Sequence, residues 1–167
     1  MESRKYIIAA FIALIIQLLI GEFVNIWPPL YITVIPLFII ILPISLRRSW
    51  LIIIAFMMGL ITDAAFDGVL GLNAASLTLV AYLKNFFIRR LTKYSSEDLA
   101  ESIESLERIP SKIFLLILFS YSVFFILYII LDGIAPQSIF FHRFLLNVVV
   151  NTLIGFALER LWIRKML

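Results

Sequence analysis

Residues 47–83 read RRSWLIIIAFMMGLITDAAFDGVLGLNAASLTLVAYL. Two apolar runs flank a short connection that carries Asp63, Asp67, Gly68 and Gly71. Ala55, Gly59, Asp63 and Asp67 are spaced by four, so they follow one row down a helix. The Ala55-xxx-Gly59 pair lets a second backbone approach closely. Gly68 and Gly71 permit a tight turn. Asn73 is placed to cap the second run, and Ala74, Thr78 and Ala81 give it a small-residue face. The stretch predicts a close helical hairpin with a basic anchor, Arg47 and Arg48, at its base and two acids presented at its tip.

The rest of the chain sets the medium of that hairpin. Of 167 residues, 63% are apolar and 15% charged, with strongly positive mean hydropathy. Soluble domains run near 45–50% apolar and about 25% charged, so the composition is that of an integral membrane protein. The absence of cysteine excludes disulfides, thiolate metal sites and cysteine nucleophiles. The net charge of +3 is no nucleic-acid signature, and no nucleic-acid partner is expected.

A span needs about 20 apolar residues to cross a hydrocarbon core of about 30 Å. The sequence predicts one all-α membrane domain over 1–167, a bundle of six spans at about 6–25, 30–46, 50–65, 71–88, 113–131 and 139–162. The first is an uncleaved anchor: its apolar run exceeds a signal h-region, and Glu22-Phe23-Val24-Asn25 offers no cleavage site. The second contains Pro36 and Pro43, each expected to kink a helix. A connector at 89–112 holds one short amphipathic helix, about 96–109, bounded by a Ser95/Asp98 capping pattern and Pro110. It is either a solvated link or a partner contact. Of the 14 basic residues, all but Arg143 fall on one side of this layout. The positive-inside rule therefore places both termini in the cytoplasm, and Glu22, Asp63, Asp67 and Asp132 outside.

Three polar groups lie within the spans. Arg143, Asn147, Asn151, Gly155 and Glu159 recur every four residues on the last span, as do Gln17, Gly21 and Asn25 on the first. Lipid cannot satisfy such side chains, so both rows face other helices. The row on the last span is either interhelical glue or the lining of a polar pocket or pathway, and the row on the first is either its amide-pairing mate or an independent packing stripe. The hairpin acids are the third group. No enzymatic site forms from these. Leu60-Ile61-Thr62-Asp63 lacks the Gly-x-Gly-Asp of intramembrane aspartyl proteases, and neither Asp67-Gly68-Val69 nor Asp132-Gly133-Ile134 continues as CDP-alcohol phosphotransferases require. His142, the single histidine, gives no metal set and no triad. No catalytic residue, metal or cofactor is expected.

The hairpin also resembles the rod shape-determining protein MreD family. Gly59-Leu60, Asp63, Gly68 and Gly71-Leu72, ending in Ala81-Tyr82-Leu83, carry the resemblance, together with the Arg47-Arg48 turn and the proline-bearing second span. It implies a non-enzymatic scaffold of the bacterial cell-elongation complex in the inner membrane. Its partners would be an MreC-like single-span protein, the filament protein MreB, the synthase RodA with its transpeptidase, and membrane lipid. Gly59, Asp63, Asp67, Gly68 and Gly71 would be the partner-binding or structural motif. The family's bundle is similar to the substrate-binding S components of energy-coupling-factor vitamin transporters, which supplies the alternative function. In an S component Asp63, Asp67, Arg143 and Asn147 would line a vitamin pocket. The short outer connections favour the scaffold.

Overall fold

The computed structural model describes residues 2–23, 29–42, 46–67, 69–92, 110–133 and 137–163. Among them every regular element is helical: α1 Glu2–Phe23, α2 Ile35–Ile41, α3 Arg48–Thr62, α4 Leu72–Thr92, α5 Pro110–Asp132 and α6 Gln137–Leu158. π-helical turns, Asp63–Asp67 and Glu159–Ile163, extend α3 and α6. Arg48–Phe66, Pro110–Asp132 and Phe140–Leu161 are long and apolar enough to cross a membrane, and Ile8–Phe23 is a shorter apolar helix. The expected connector helix at 96–109 lies outside the described residues.

The bundle is apolar on its outside as well as its inside. On α6, Phe141, Leu145, Val149 and Leu153 are exposed, while Asn147 and Asn151 are buried. The two rows are offset by two residues, or about 200°, so they occupy opposite faces of one helix. On α1, Ile8, Phe11, Ile15 and Leu19 are exposed while Gln17 is fully buried. Polar groups thus turn inward and hydrocarbon outward, the reverse of a soluble helix.

α3 and α4 form the predicted hairpin, and α4 packs on through α5 to α6. α4 lies innermost. Its 21 residues have spanning length, but Asn73, Ser76 and Lys84 interrupt its apolar run, and all three are buried against neighbours. Gly59 explains how closely the hairpin shuts. A Cβ at this position would lie 2.5 Å from both the Cα and the backbone N of Ala74. α1 sits against the hairpin tip, where Gly21 meets the ring of Phe66: a Cβ there would fall 2.8 Å from it.

The second span departs from expectation. A continuous helix over 30–46 does not form. Residues 30–33 carry no helix, and α2 has only seven residues. Pro36 produces no kink, because it stands in the first turn of α2, where its missing N–H would have had no partner anyway. Pro43 lies outside the described residues. Extended backbone advances about 3.3 Å per residue and helix about 1.5 Å. Residues 30–33, which carry no helix, therefore advance farther per residue toward α2 than a helix would. α2 is packed between α4 and α5, with Ile35, Leu37, Ile39 and Ile40 buried.

Gly59→Ala is expected to destabilise the fold by about 3 kcal/mol or more, because backbone and not a pliant side chain must move. Ala65→Ser, at an exposed position, should stay within about 0.5 kcal/mol. Thermal unfolding in detergent micelles compares the two.

Candidate functional site

An extended segment inside an apolar bundle leaves its N–H and C=O groups without helical partners, and each one left unpaired there costs free energy. Three amide side chains take that role. Asn147 accepts the Tyr31 N–H through Oδ1 at 2.7 Å and donates from Nδ2 to the Pro29 carbonyl at 2.8 Å. Asn151 accepts the Thr33 N–H at 2.8 Å and donates to the Tyr31 carbonyl at 2.8 Å. From the other side, Gln17 accepts the Val34 N–H at 2.8 Å and donates to the Ile32 carbonyl at 3.4 Å. The Tyr121 hydroxyl on α5 donates to the Thr33 carbonyl at 2.8 Å.

The spacing of the asparagines matches the strand they imitate. Four residues on a helix rise about 6 Å, and two residues of extended chain about 6.6 Å. Asn147 and Asn151 therefore address Tyr31 and Thr33 in register, as a neighbouring strand would. Ile32 and Val34 turn to α1, as alternation along an extended chain requires. Among the described residues Gln17 does not pair with the α6 asparagines, and Asn25 lies outside those residues. Gln17 and the asparagines grip opposite edges of the same segment. Gly155 continues the α6 row, and a Cβ there would come within 3.0 Å of the Tyr121 ring. Arg143 leaves the group: it pairs with Asp132 at 2.6 Å, closing the α5–α6 end.

Asp63 is the second centre. Rather than being presented at the tip, it is fully buried. Its Oδ2 accepts the N–H groups of Gly71 and Ala74 at 2.9 and 3.1 Å. Its Oδ1 accepts the Asn73 N–H and side-chain amide at 2.8 and 3.0 Å. These donors surround the start of α4, so Asp63 is the cap of a helix nine residues further on, with its charge at the favourable end of the dipole. Asn73 is not the cap expected of it. It braces the carboxylate that is. Gly71 has φ +110, the conformation its place in the turn requires. Asp67 lies in the π-helical turn, but its side chain and the whole of Gly68 fall outside the described residues.

Tyr31 joins the two centres. Its hydroxyl donates to Asn73 Oδ1 at 3.3 Å, its N–H goes to Asn147, and its ring stacks on Tyr128 with centroids 5.1 Å apart. A polar chain thus runs from Asp63 through Asn73 and Tyr31 to α6.

Lys84 completes the arrangement, a site residue that the one-sided count of basic residues does not single out. It is buried, and its Nζ donates to the carbonyls of Ile39, at 3.1 Å, and Leu42. Ile39 lies in the last turn of α2 and Leu42 is its C-cap, where carbonyls run out of helical donors, and a cation suits that end of the dipole. Its place within an apolar run was the available signal, since ionisable residues inside spans find internal partners.

His142 is exposed near Arg143. Among the described residues no cluster of three or more metal-ligating side chains forms. The chain matches no family model, no curated protein and no solved structure.

Asn151→Ala is expected to cost about 2–4 kcal/mol, because it strands the Thr33 N–H and the Tyr31 carbonyl in an apolar interior. Asn147→Ala should cost a similar amount, and the double substitution less than the sum, since both residues hold one segment. Denaturant unfolding in micelles measures all three.

Proposed function

We propose that the chain is a multi-pass protein of the bacterial inner membrane, with both termini in the cytoplasm. In this reading it is a non-enzymatic scaffold of rod-type cell-wall synthesis, related in role to MreD. The motif at Gly59, Asp63 and Gly71 and the distribution of basic residues are its sequence basis. One structural observation carries the scaffold over the alternatives: the buried polar side chains of the hairpin and of the 29–34 segment are engaged with the protein's own backbone. Asp63 holds the start of α4, Gln17, Asn147 and Asn151 hold residues 29–34, and Lys84 holds the end of α2. A reaction or a bound vitamin would need such groups directed at a ligand. Three of the four residues assigned to a vitamin pocket by the transporter alternative are otherwise engaged: Asp63 and Asn147 are bonded internally, and Arg143 is paired with Asp132, while the side chain of Asp67 lies outside the described residues.

The mechanism is one of rigid presentation. A bundle fixed by internal hydrogen bonds would hold the transmembrane segment of an MreC-like partner against its apolar outer face and so orient that partner's outer domain. Contacts with MreB, RodA and the transpeptidase would then be made within the larger assembly.

Co-expression with an MreC-like protein should yield a complex that survives detergent. Asp63→Ala should lower the stability of the free protein by about 3 kcal/mol, through loss of a charged cap, and reduce recovery of the complex. Purification of the chain alone with a stoichiometric vitamin, seen by mass spectrometry, would overturn the scaffold in favour of the transporter component. An unchanged complex and unchanged stability in Asp63→Ala would remove that residue from the argument.

A further inference from the structure

At the base of the hairpin, opposite Asp63, the start of α3 and the end of α4 enclose a cleft of about 330 Å³ lined by Arg48, Tyr82, Leu83, Asn85, Phe86 and Arg89. Both arginines are exposed. Among the described residues neither is paired with a carboxylate. Arg48 is nonetheless held in place. Its guanidinium donates to the Tyr82 carbonyl at 3.1 Å and lies 4.0 Å over the centroid of the Tyr82 ring. A guanidinium has five N–H donors, and this bond uses one. The rest of a fork already fixed by stacking is available to an anion, at less entropic cost than a free side chain would incur.

The α4 face of the cleft is graded. Tyr82, Phe86 and Arg89 fall at i, i+4 and i+7, so they share one side of the helix. Tyr82 and Phe86 are more than half exposed. Over about 10 Å of helix the surface passes from aromatic to cationic. That order matches a phospholipid, with acyl chains against the rings and the phosphate between two guanidinium groups. A free phosphate would make no use of the aromatic half. Arginine forks match phosphate geometry, and basic pockets between helices on the cytoplasmic side suit anionic headgroups.

We propose that this cleft is a binding site for one anionic phospholipid of the inner leaflet, with Arg48 and Arg89 on its phosphate and Tyr82 and Phe86 against its chains. The site rests on the membrane placement proposed above, in which the base of the hairpin faces the cytoplasm.

The test uses the full chain in mild detergent, titrated with phosphatidylglycerol or phosphatidylcholine and read by native mass spectrometry. One phosphatidylglycerol should be retained per chain, in preference to phosphatidylcholine. Arg48→Gln and Arg89→Gln should each weaken it roughly fivefold, and the pair roughly 25-fold. Arg48→Lys should recover only part of the loss, because charge returns without the fork. Arg160→Gln, at another exposed cation near the same end, serves as control and should change binding less than about twofold. Equal retention of the two lipids, an equal loss in Arg160→Gln, or displacement of the lipid by equimolar inorganic phosphate overturns the proposal. An unchanged unfolding temperature confirms that each variant is folded. Placement is read separately. The chain has no cysteine, so Ser49→Cys reports its side with an impermeant maleimide. Labelling from outside overturns the inner placement. Failure of lipid selectivity with Ser49→Cys protected overturns the site and leaves the placement standing.

Discussion

The fold depends on satisfying one stretch of backbone. Residues 30–33 run through the bundle outside any helix, among side chains that offer little but hydrocarbon. Such a segment is stable only if other groups replace its missing partners. Asn147, Asn151, Gln17 and Tyr121 do so from three different helices. Each amide offers the segment a donor and an acceptor side by side, as a peptide unit does, while the second N–H of each asparagine returns to its own helix at Arg143 and Asn147. The segment therefore fixes α1, α5 and α6 relative to one another. Apolar packing alone would be far less directional, since lipid competes for hydrocarbon contact almost as well as another helix does.

Two of the buried charges obey the same logic. Asp63 and Lys84 both lie deep in the bundle, yet neither is the other's partner. The carboxylate meets the N-terminal end of α4 and the ammonium the C-terminal end of α2. Both signs follow the helix dipole. α4 links the two, since it is capped by one and carries the other. Tyr31, between the Asp63 cap and the asparagine row, transmits position from the hairpin to the extended segment.

Much of this was legible in the sequence, and the illegible part has a physical cause. The helical class followed from composition. The α3–α4 hairpin followed from Gly59 and from the turn residues, of which Gly71 takes the positive φ its role demands. The inward orientation of Asn147 and Asn151 followed from the impossibility of exposing them to lipid. What they would bind did not follow. A hydropathy reading counts apolar residues and assigns 30–46 to a helix, because Tyr31, Ile32, Thr33 and Val34 are as apolar in sum as a helical span. Pro28, Pro29 and Pro36 marked the departure, but proline is equally compatible with a kink. Only the partners decide, and those lie about 15 and 115 residues away along the chain. Lys84 was obscured for a related reason: a cation near a span end resembles a loop anchor until the carbonyls it serves are seen.

A bundle that uses its polar interior on itself has its surface left for recognition. On this surface the large apolar residues run along α1, α3 and α6, and exposed cations gather at one end: Arg47, Arg48, Arg89, Arg90 and Arg160. Such a surface can discriminate through shape along the helices and through charge at the basic end. If the chain is the scaffold proposed above, it gains from rigidity, because a partner helix docked on a deformable bundle loses its fixed angle. Rigidity is what the internal hydrogen bonds supply. On this argument the residues that most affect a partner need not touch it: the asparagines set the angle of α6, and Gly59 with Asp63 sets that of α3 against α4.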